Sequence, residues 1–205
     1  MKYLYFSLFR KEFPTNVLNS KEIIFIHNPK AAGNSLIKLL GIELKEGEST
    51  SHQTPSFLVN KRTWESYFSV LVVRHPIDRL ISSYNYHTKE SYQGHFLQKY
   101  PELHQFSFEK YFEVFSKEPY AIRPQIDYSN HIMSSKRVDF VLKFENLEND
   151  VEQLCSKLDI SNVSVPHLNQ SKRKEIDYFK DESFKQKVIN FYKKDFEYFD
   201  YEIEY

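Results

Sequence analysis

The strongest constraint on this chain is an apolar run that ends in a tight polar loop and then turns directly into a helix. Residues 23–35 read IIFIHNPKAAGNS. Ile23 to Ile26 has the look of a buried strand, and Leu36-Ile37-Lys38-Leu39-Leu40, closed by Gly41, that of a helix. A strand that hands a loop to a helix N-terminus builds an anion site. The first-turn N–H groups of a helix have no intrahelical partner and lie at the positive end of its dipole. Lys30 adds a mobile charge, Asn34 and Ser35 add side-chain donors, and Gly33 is expected to let the backbone approach the anion. The bland alternative is a strand-to-helix turn with no ligand.

A second segment follows the same plan. Residues 69–87 read SVLVVRHPIDRLISSYNYH. Val70 to Val73 is a β-branched apolar strand, Arg74 closes it, and His75-Pro76 ends it because proline has no N–H to give a ladder. Asp78 to Tyr86 reads as a helix, and Ser82 lies eight residues past Arg74. An arginine at a strand end and a hydroxyl in the next helix can converge on one phosphate, and the planar guanidinium suits bidentate contact with phosphate oxygens.

The first loop does not satisfy G-x-x-x-x-G-K-[ST], because Lys30 precedes Gly33 by three and the order is Pro-Lys-x-x-Gly-x-Ser. It resembles instead the loop that grips the 5′-phosphosulfate of 3′-phosphoadenosine 5′-phosphosulfate (PAPS) in sulfotransferases, with Asn34-Ser35 where that family often has Thr-Ser. The second segment resembles their Arg-x7-Ser element, which holds the 3′-phosphate. The resemblance extends from Lys21 to Tyr201. Arg123-Pro124-Gln125 is similar to the Pro-Gln segment of the carbohydrate type, DFVLKFENLEN at 139–149 to the strand ending in Phe-Glu-x-Leu, His167 to Ser171 to the late Asn-x-Ser loop, and DFEYFDY at 195–201 to the C-terminal ending.

The resemblance implies a PAPS-dependent sulfotransferase of the carbohydrate type. Such an enzyme moves a sulfuryl group from PAPS to a hydroxyl of a glycan, glycolipid or polysaccharide and releases 3′,5′-adenosine bisphosphate (PAP). It implies a nucleotide site made of Lys30, Ala31, Ala32, Gly33, Asn34, Ser35, Arg74, Ser82, Ser171 and Arg173. Lys30 would also stabilise charge at the bridging oxygen. His52 is the candidate base, since the family often places a histidine after the phosphosulfate helix and an ordinary pKa near 6.5 suits proton abstraction. Glu43, Glu46 and Glu48 are the runners-up, and a plain surface-loop histidine is the structural alternative. Glu145 is expected to brace the core near the nucleotide, and His27 and His75 either to support the site's contact residues or to be structural. No metal is required, because the transferred group is already an activated anhydride. Two other classes stay open: a nucleoside or nucleotide kinase-like phosphotransferase, and a non-catalytic PAP- or PAPS-binding protein.

Composition sets the remaining bounds. The 205 residues suit one domain, with 1–20 as an N-terminal arm and 21–201 as catalytic core. The 28 basic and 28 acidic side chains cancel, so nothing argues for a nucleic-acid partner. Cys155, the only cysteine, sits among Leu147, Val151, Leu154 and Leu158 at helical spacing and reads as a buried structural thiol. No stretch approaches the ~20 apolar residues of a membrane span. The membrane anchor of Golgi relatives is not evident, which gives the expectation of a cytoplasmic, bacterial enzyme. The oligomeric state is not legible.

Strands are predicted at 23–28, 69–74 and 138–144, and helices at 34–40, 78–88, 107–117, 147–158 and 182–195. That alternation predicts an α/β fold, three-layered and P-loop-like, with a central, mainly parallel sheet flanked by helices and ligands bound beyond the C-terminal strand ends. Residues 42–62 and 88–106 read as loops or short helices, suited to an acceptor site and its lid.

Overall fold

The computed structural model describes residues 15–42, 44, 52–118, 120–160 and 178–203. In chain order the elements are β1 (Val17–Leu18), β2 (Ile23–Ile26), α1 (Gly33–Leu39), α2 (Pro55–Leu58), α3 (Lys61–Ser66), β3 (Phe68–Val73) and α4 (Pro76–Thr88). They continue with α5 (Phe96–Lys99), α6 (Phe108–Phe115), β4 (Phe140–Lys143), α7 (Leu147–Lys157), α8 (Glu182–Phe191) and α9 (Lys193–Phe199). The chain divides into two compact units, Met1–Arg74 with Gln125–Asn169, and His75–Pro124 with Gln170–Tyr205.

The first unit carries the sheet, in the order β1-β2-β3-β4. β2 runs parallel to β3, with Ile23 opposite Phe68 and Ile26 opposite Leu71, and β3 runs parallel to β4, with Val73 opposite Lys143. β1 pairs antiparallel with β2. This is the mainly parallel sheet flanked by helices that the alternation of elements predicts. Along β2 every residue is buried, as in parallel strands covered on both faces. Ile23, Phe25, Val70, Val72 and Leu142 point to one face, where Leu36, Ile37 and Leu40 of the α1 segment and Leu147, Val151 and Leu154 of α7 meet them. Cys155 packs in that cluster, and burial pushes its thiol pKa up, so it is the structural residue its spacing predicts.

Within the stretch expected as an arm over 1–20, Val17 and Leu18 form β1. Buried Asn16 locks the turn there: its carbonyl accepts from the Phe25 N–H at 2.8 Å and its Nδ2 donates to the Phe25 carbonyl at 3.0 Å. A two-residue strand is too short to show a period.

β4 is pinned to β3 by one carboxylate. Asp139 Oδ2 accepts from the Ser69 N–H at 2.8 Å, from Ser69 Oγ at 2.7 Å and from Lys136 Nζ at 2.9 Å. Burial pushes the Asp139 pKa up, but the bonds from Lys136 and Ser69 outweigh it and the net shift is downward. Lys136 Nζ also donates to the Trp64 and Tyr67 carbonyls, and the Trp64 indole donates to the Lys136 carbonyl at 3.1 Å.

The second unit is helical and aromatic. Ser107 caps α6, accepting from the Lys110 N–H at 3.1 Å, and Phe108, Tyr111, Phe112 and Phe115 form its buried face. Ile77 and Leu80 of α4 and Val188, Tyr192 and Phe196 join the same core. The helix predicted over 182–195 is two helices that change direction at Tyr192. That side chain is wholly buried, and its hydroxyl donates to the Ile122 carbonyl at 2.8 Å. The segments at 55–58, 61–66 and 96–99 are the short helices left open for the polar stretches.

Replacing Asp139 with alanine should cost about 2–3 kcal/mol, because it leaves the buried Ser69 donors and the Lys136 ammonium without their shared acceptor. Urea unfolding of the variant against the parent chain measures this.

Candidate active site

β2 ends at Ile26, β3 at Val73 and β4 at Lys143, all at one edge of the sheet, so the loops that leave them start side by side. The loop after β2 is bent through two non-glycine residues in the left-handed region, Lys30 at φ 65° and Ala32 at φ 64°. Each costs about 1–2 kcal/mol for a residue with a Cβ. Clustered strain of this kind is held in place by its surroundings and marks functional loops. Ala32 is the N-cap of α1, and no side chain caps the helix there. Lys30, Ala32 and Ser35 are half-buried, Ala31 is buried and Asn34 is exposed.

Gly33 meets a constraint that its place in the loop does not reveal. Its φ does not fall in the left-handed region, but a Cβ on it would lie 2.2 Å from His27 Cδ2 and 2.3 Å from Nε2. The glycine makes room for the imidazole of His27, which sits under the head of α1 and is buried.

The two loop origins are tied together by Gln125, which is fully buried. Its Oε1 accepts from Asn28 Nδ2 at 2.8 Å and from the Arg74 N–H at 3.0 Å, and its Nε2 donates to the Arg74 carbonyl at 2.7 Å. Asn28 Nδ2 also donates to the Val72 carbonyl at 3.0 Å. The Pro-Gln segment singled out in the sequence thus acts as an amide clamp between the first loop and the end of β3. Asn28 is the partner that sequence reasoning missed. Its Oδ1 is buried with no hydrogen-bond partner among the described residues.

Arg74 is half-buried, and its guanidinium lies 4.4 Å from the centroid of the Phe144 ring. That contact orients the guanidinium. Glu145, expected to brace the core, is exposed, and the neighbouring Phe144 is the residue whose ring meets Arg74. Ser82 lies in the second unit, half-buried in the middle of α4. Its neighbour Ser83 is buried and shares a hydrogen bond with Tyr111 at 3.0 Å, while Tyr111 also meets His87 Nδ1 at 2.7 Å. His75 packs on Phe196 and Tyr201 and hydrogen-bonds the Glu202 carbonyl at 3.1 Å, a structural role as expected.

His52 is brought to the loop. Its ring stands edge-on to that of His27, with centroids 4.2 Å apart, and its carbonyl accepts from the buried Tyr128 hydroxyl at 3.3 Å. Burial first, and then the positive charge of Lys30, hold its pKa below 6.5; an exposed edge moderates the shift but not its direction. Burial and then His52 push the pKa of His27 down to about 3. Both imidazoles are therefore neutral near pH 7. Ser171 and Arg173, and the alternative bases Glu43, Glu46 and Glu48, lie outside the described residues. Among the described residues no three His, Cys, Asp or Glu side chains group as a metal site, and no helix is long and apolar enough to cross a membrane.

Two outcomes follow from this geometry. Gln125→Ala should cost about 3 kcal/mol in urea unfolding, since it strands buried polar groups of Asn28 and Arg74. His27 has a folded pKa below its unfolded value, so its contribution to stability is complete above pH 6.5 and is lost as the pH falls towards 3. Between pH 7 and pH 5 that loss amounts to about 2 kcal/mol, and a His27→Gln chain should show a correspondingly flatter pH dependence of unfolding.

No curated protein and no solved structure matches the chain. One family model does, that of the sulfotransferase family, over residues 14–202. With the mainly parallel sheet and the phosphate-type loop at its strand end, a match that spans nearly the whole sequence places this chain in the sulfotransferase family.

Proposed function

We propose that the chain transfers a sulfuryl group from PAPS to a hydroxyl of a glycan, glycolipid or polysaccharide and releases PAP. The observation that carries this reading is the convergence of His52 on the strained Lys30 loop, close enough for the lysine charge to lower the histidine pKa. A phosphate-binding loop alone serves many reactions. A loop with a neutral imidazole held beside its lysine is equipped for group transfer to a protic acceptor.

Lys30, Ala31, Ala32, Gly33, Asn34 and Ser35 hold the 5′-phosphosulfate through backbone donors of the loop and the lysine charge. The uncapped head of α1 fits such a ligand. Arg74 and Ser82 are proposed as contacts to the 3′-phosphate, and Ser171 and Arg173 as contacts from the late loop. The proposal treats residues 21–201 as one catalytic core working without a metal, in the cytoplasm.

His52 removes the proton of the acceptor hydroxyl as the new oxygen–sulfur bond forms. The bond between sulfur and the 5′-phosphate oxygen breaks, and Lys30 stabilises the charge that collects on that oxygen. Because burial first, and then the Lys30 charge, lower the His52 pKa, neutral imidazole persists below pH 6.5. The acid limb of a kcat/KM profile should therefore fall below 6.5.

Calorimetric titration with PAP and with ADP, without Mg²⁺, tests the donor assignment. PAP should bind about 30-fold or more tighter than ADP, because only PAP presents the 3′-phosphate. Arg74→Ala should bring PAP down to the ADP level. Lys30→Ala should abolish transfer while PAP still binds, and His52→Ala should lower kcat about 100-fold or more at nearly unchanged PAP affinity. Equal or Mg²⁺-dependent binding of ADP would replace this reading with the kinase-like one. Full PAP binding with no turnover on any acceptor would leave a PAP- or PAPS-binding protein.

A further inference from the structure

His27 does more than fill space. Its ring is buried, tilted against Phe25 with centroids 5.6 Å apart, and flanked on another side by Gly33, where even a methyl group would collide with it. The His52 ring stands edge-on to it, with centroids 4.2 Å apart and planes at 84°. A buried side chain held by a strand residue and a helix head has little freedom, so whatever packs on its open side inherits that rigidity. His52, by contrast, comes from a loop, and loop residues have no such rigidity of their own.

We propose that His27 is the positioning residue for His52: its immobile imidazole seats the His52 ring against the phosphate loop, so that base and loop move as one body. The inference rests on the reading of His52 as the base. Its structural content, however, is separately measurable. Among the described residues the groups shown to act on His52 are His27, the ammonium of Lys30 and the Tyr128 hydroxyl that holds its carbonyl. Tyr128 grips only the backbone, which leaves His27 as the contact that orients the ring. The low pKa of His27 is consistent with this role, since a neutral ring at this spacing packs on His52 without repelling it.

Imidazole NMR titration of the full chain, with no acceptor needed, tests the proposal. His27→Ala should loosen the seating of the exposed His52 ring and raise its midpoint towards 6.5. PAP affinity should stay within about threefold, because the loop donors remain. His27→Gln repeats the measurement should the alanine chain fail to fold. On any acceptor that gives turnover, His27→Ala should lower kcat about tenfold, and this loss should vanish in a His52→Ala background, since the two residues act as a unit. A His52 midpoint that is the same with and without the His27 ring overturns the positioning role even if His52→Ala abolishes turnover. A shifted midpoint with undiminished turnover in His52→Ala upholds the positioning role and removes His52 as the base.

Discussion

The site hangs on a single buried amide. Gln125 receives one N–H from Asn28 and one from Arg74 and returns a donor to the Arg74 carbonyl. Parallel strands place their C-terminal ends together but do not specify how the chain leaves them. The ladder hydrogen bonds stop at Ile26 and Val73, and the next backbone groups need other partners. A glutamine suits the position because it carries an acceptor and a donor on one planar head, matching the N–H and C=O of one backbone residue. By satisfying Arg74 and Asn28 together it makes the spacing between the two loop origins a property of the core.

With that spacing set, the chemistry near the loop is governed by what can stay uncharged. Lys30 is held in a left-handed conformation at the turn, His27 is buried beneath the helix head, and His52 packs on it. Desolvation and one nearby ammonium both favour neutral imidazole at His52. Membership of the sulfotransferase family gives the chain a reaction class, sulfuryl transfer.

Individual residues show how far the sequence could be read. The helix over 182–195 splits because the Tyr192 hydroxyl reaches Ile122, a contact separated by 70 positions that no window of local periodicity contains. β1 escaped notice because two residues cannot display a period. Gly33 stands out in the sequence from its place in the loop, and only the fold shows that a Cβ there would collide with the ring of His27. Past the end of β4, Glu145 is exposed, and it is the ring of the adjacent Phe144 that meets the Arg74 guanidinium. In each case the local pattern identified the segment, and a long-range contact assigned the task.

By itself the sequence determined the alternation of buried strands and amphipathic helices, the polar loop at the end of Ile23–Ile26 and the arginine at the end of the next strand. These are local properties, written in hydrophobic period, proline and glycine placement and residue type. Only the tertiary structure decided that Gln125 joins the two strand ends, that His27 lies beneath Gly33, and that His52 arrives edge-on beside it close to Lys30. Those pairings join residues up to 97 positions apart, as in the bond from Asn28 to Gln125. The reason is physical: which buried donor finds which acceptor is settled when the core closes around both, and nothing in the local sequence of either partner records the choice.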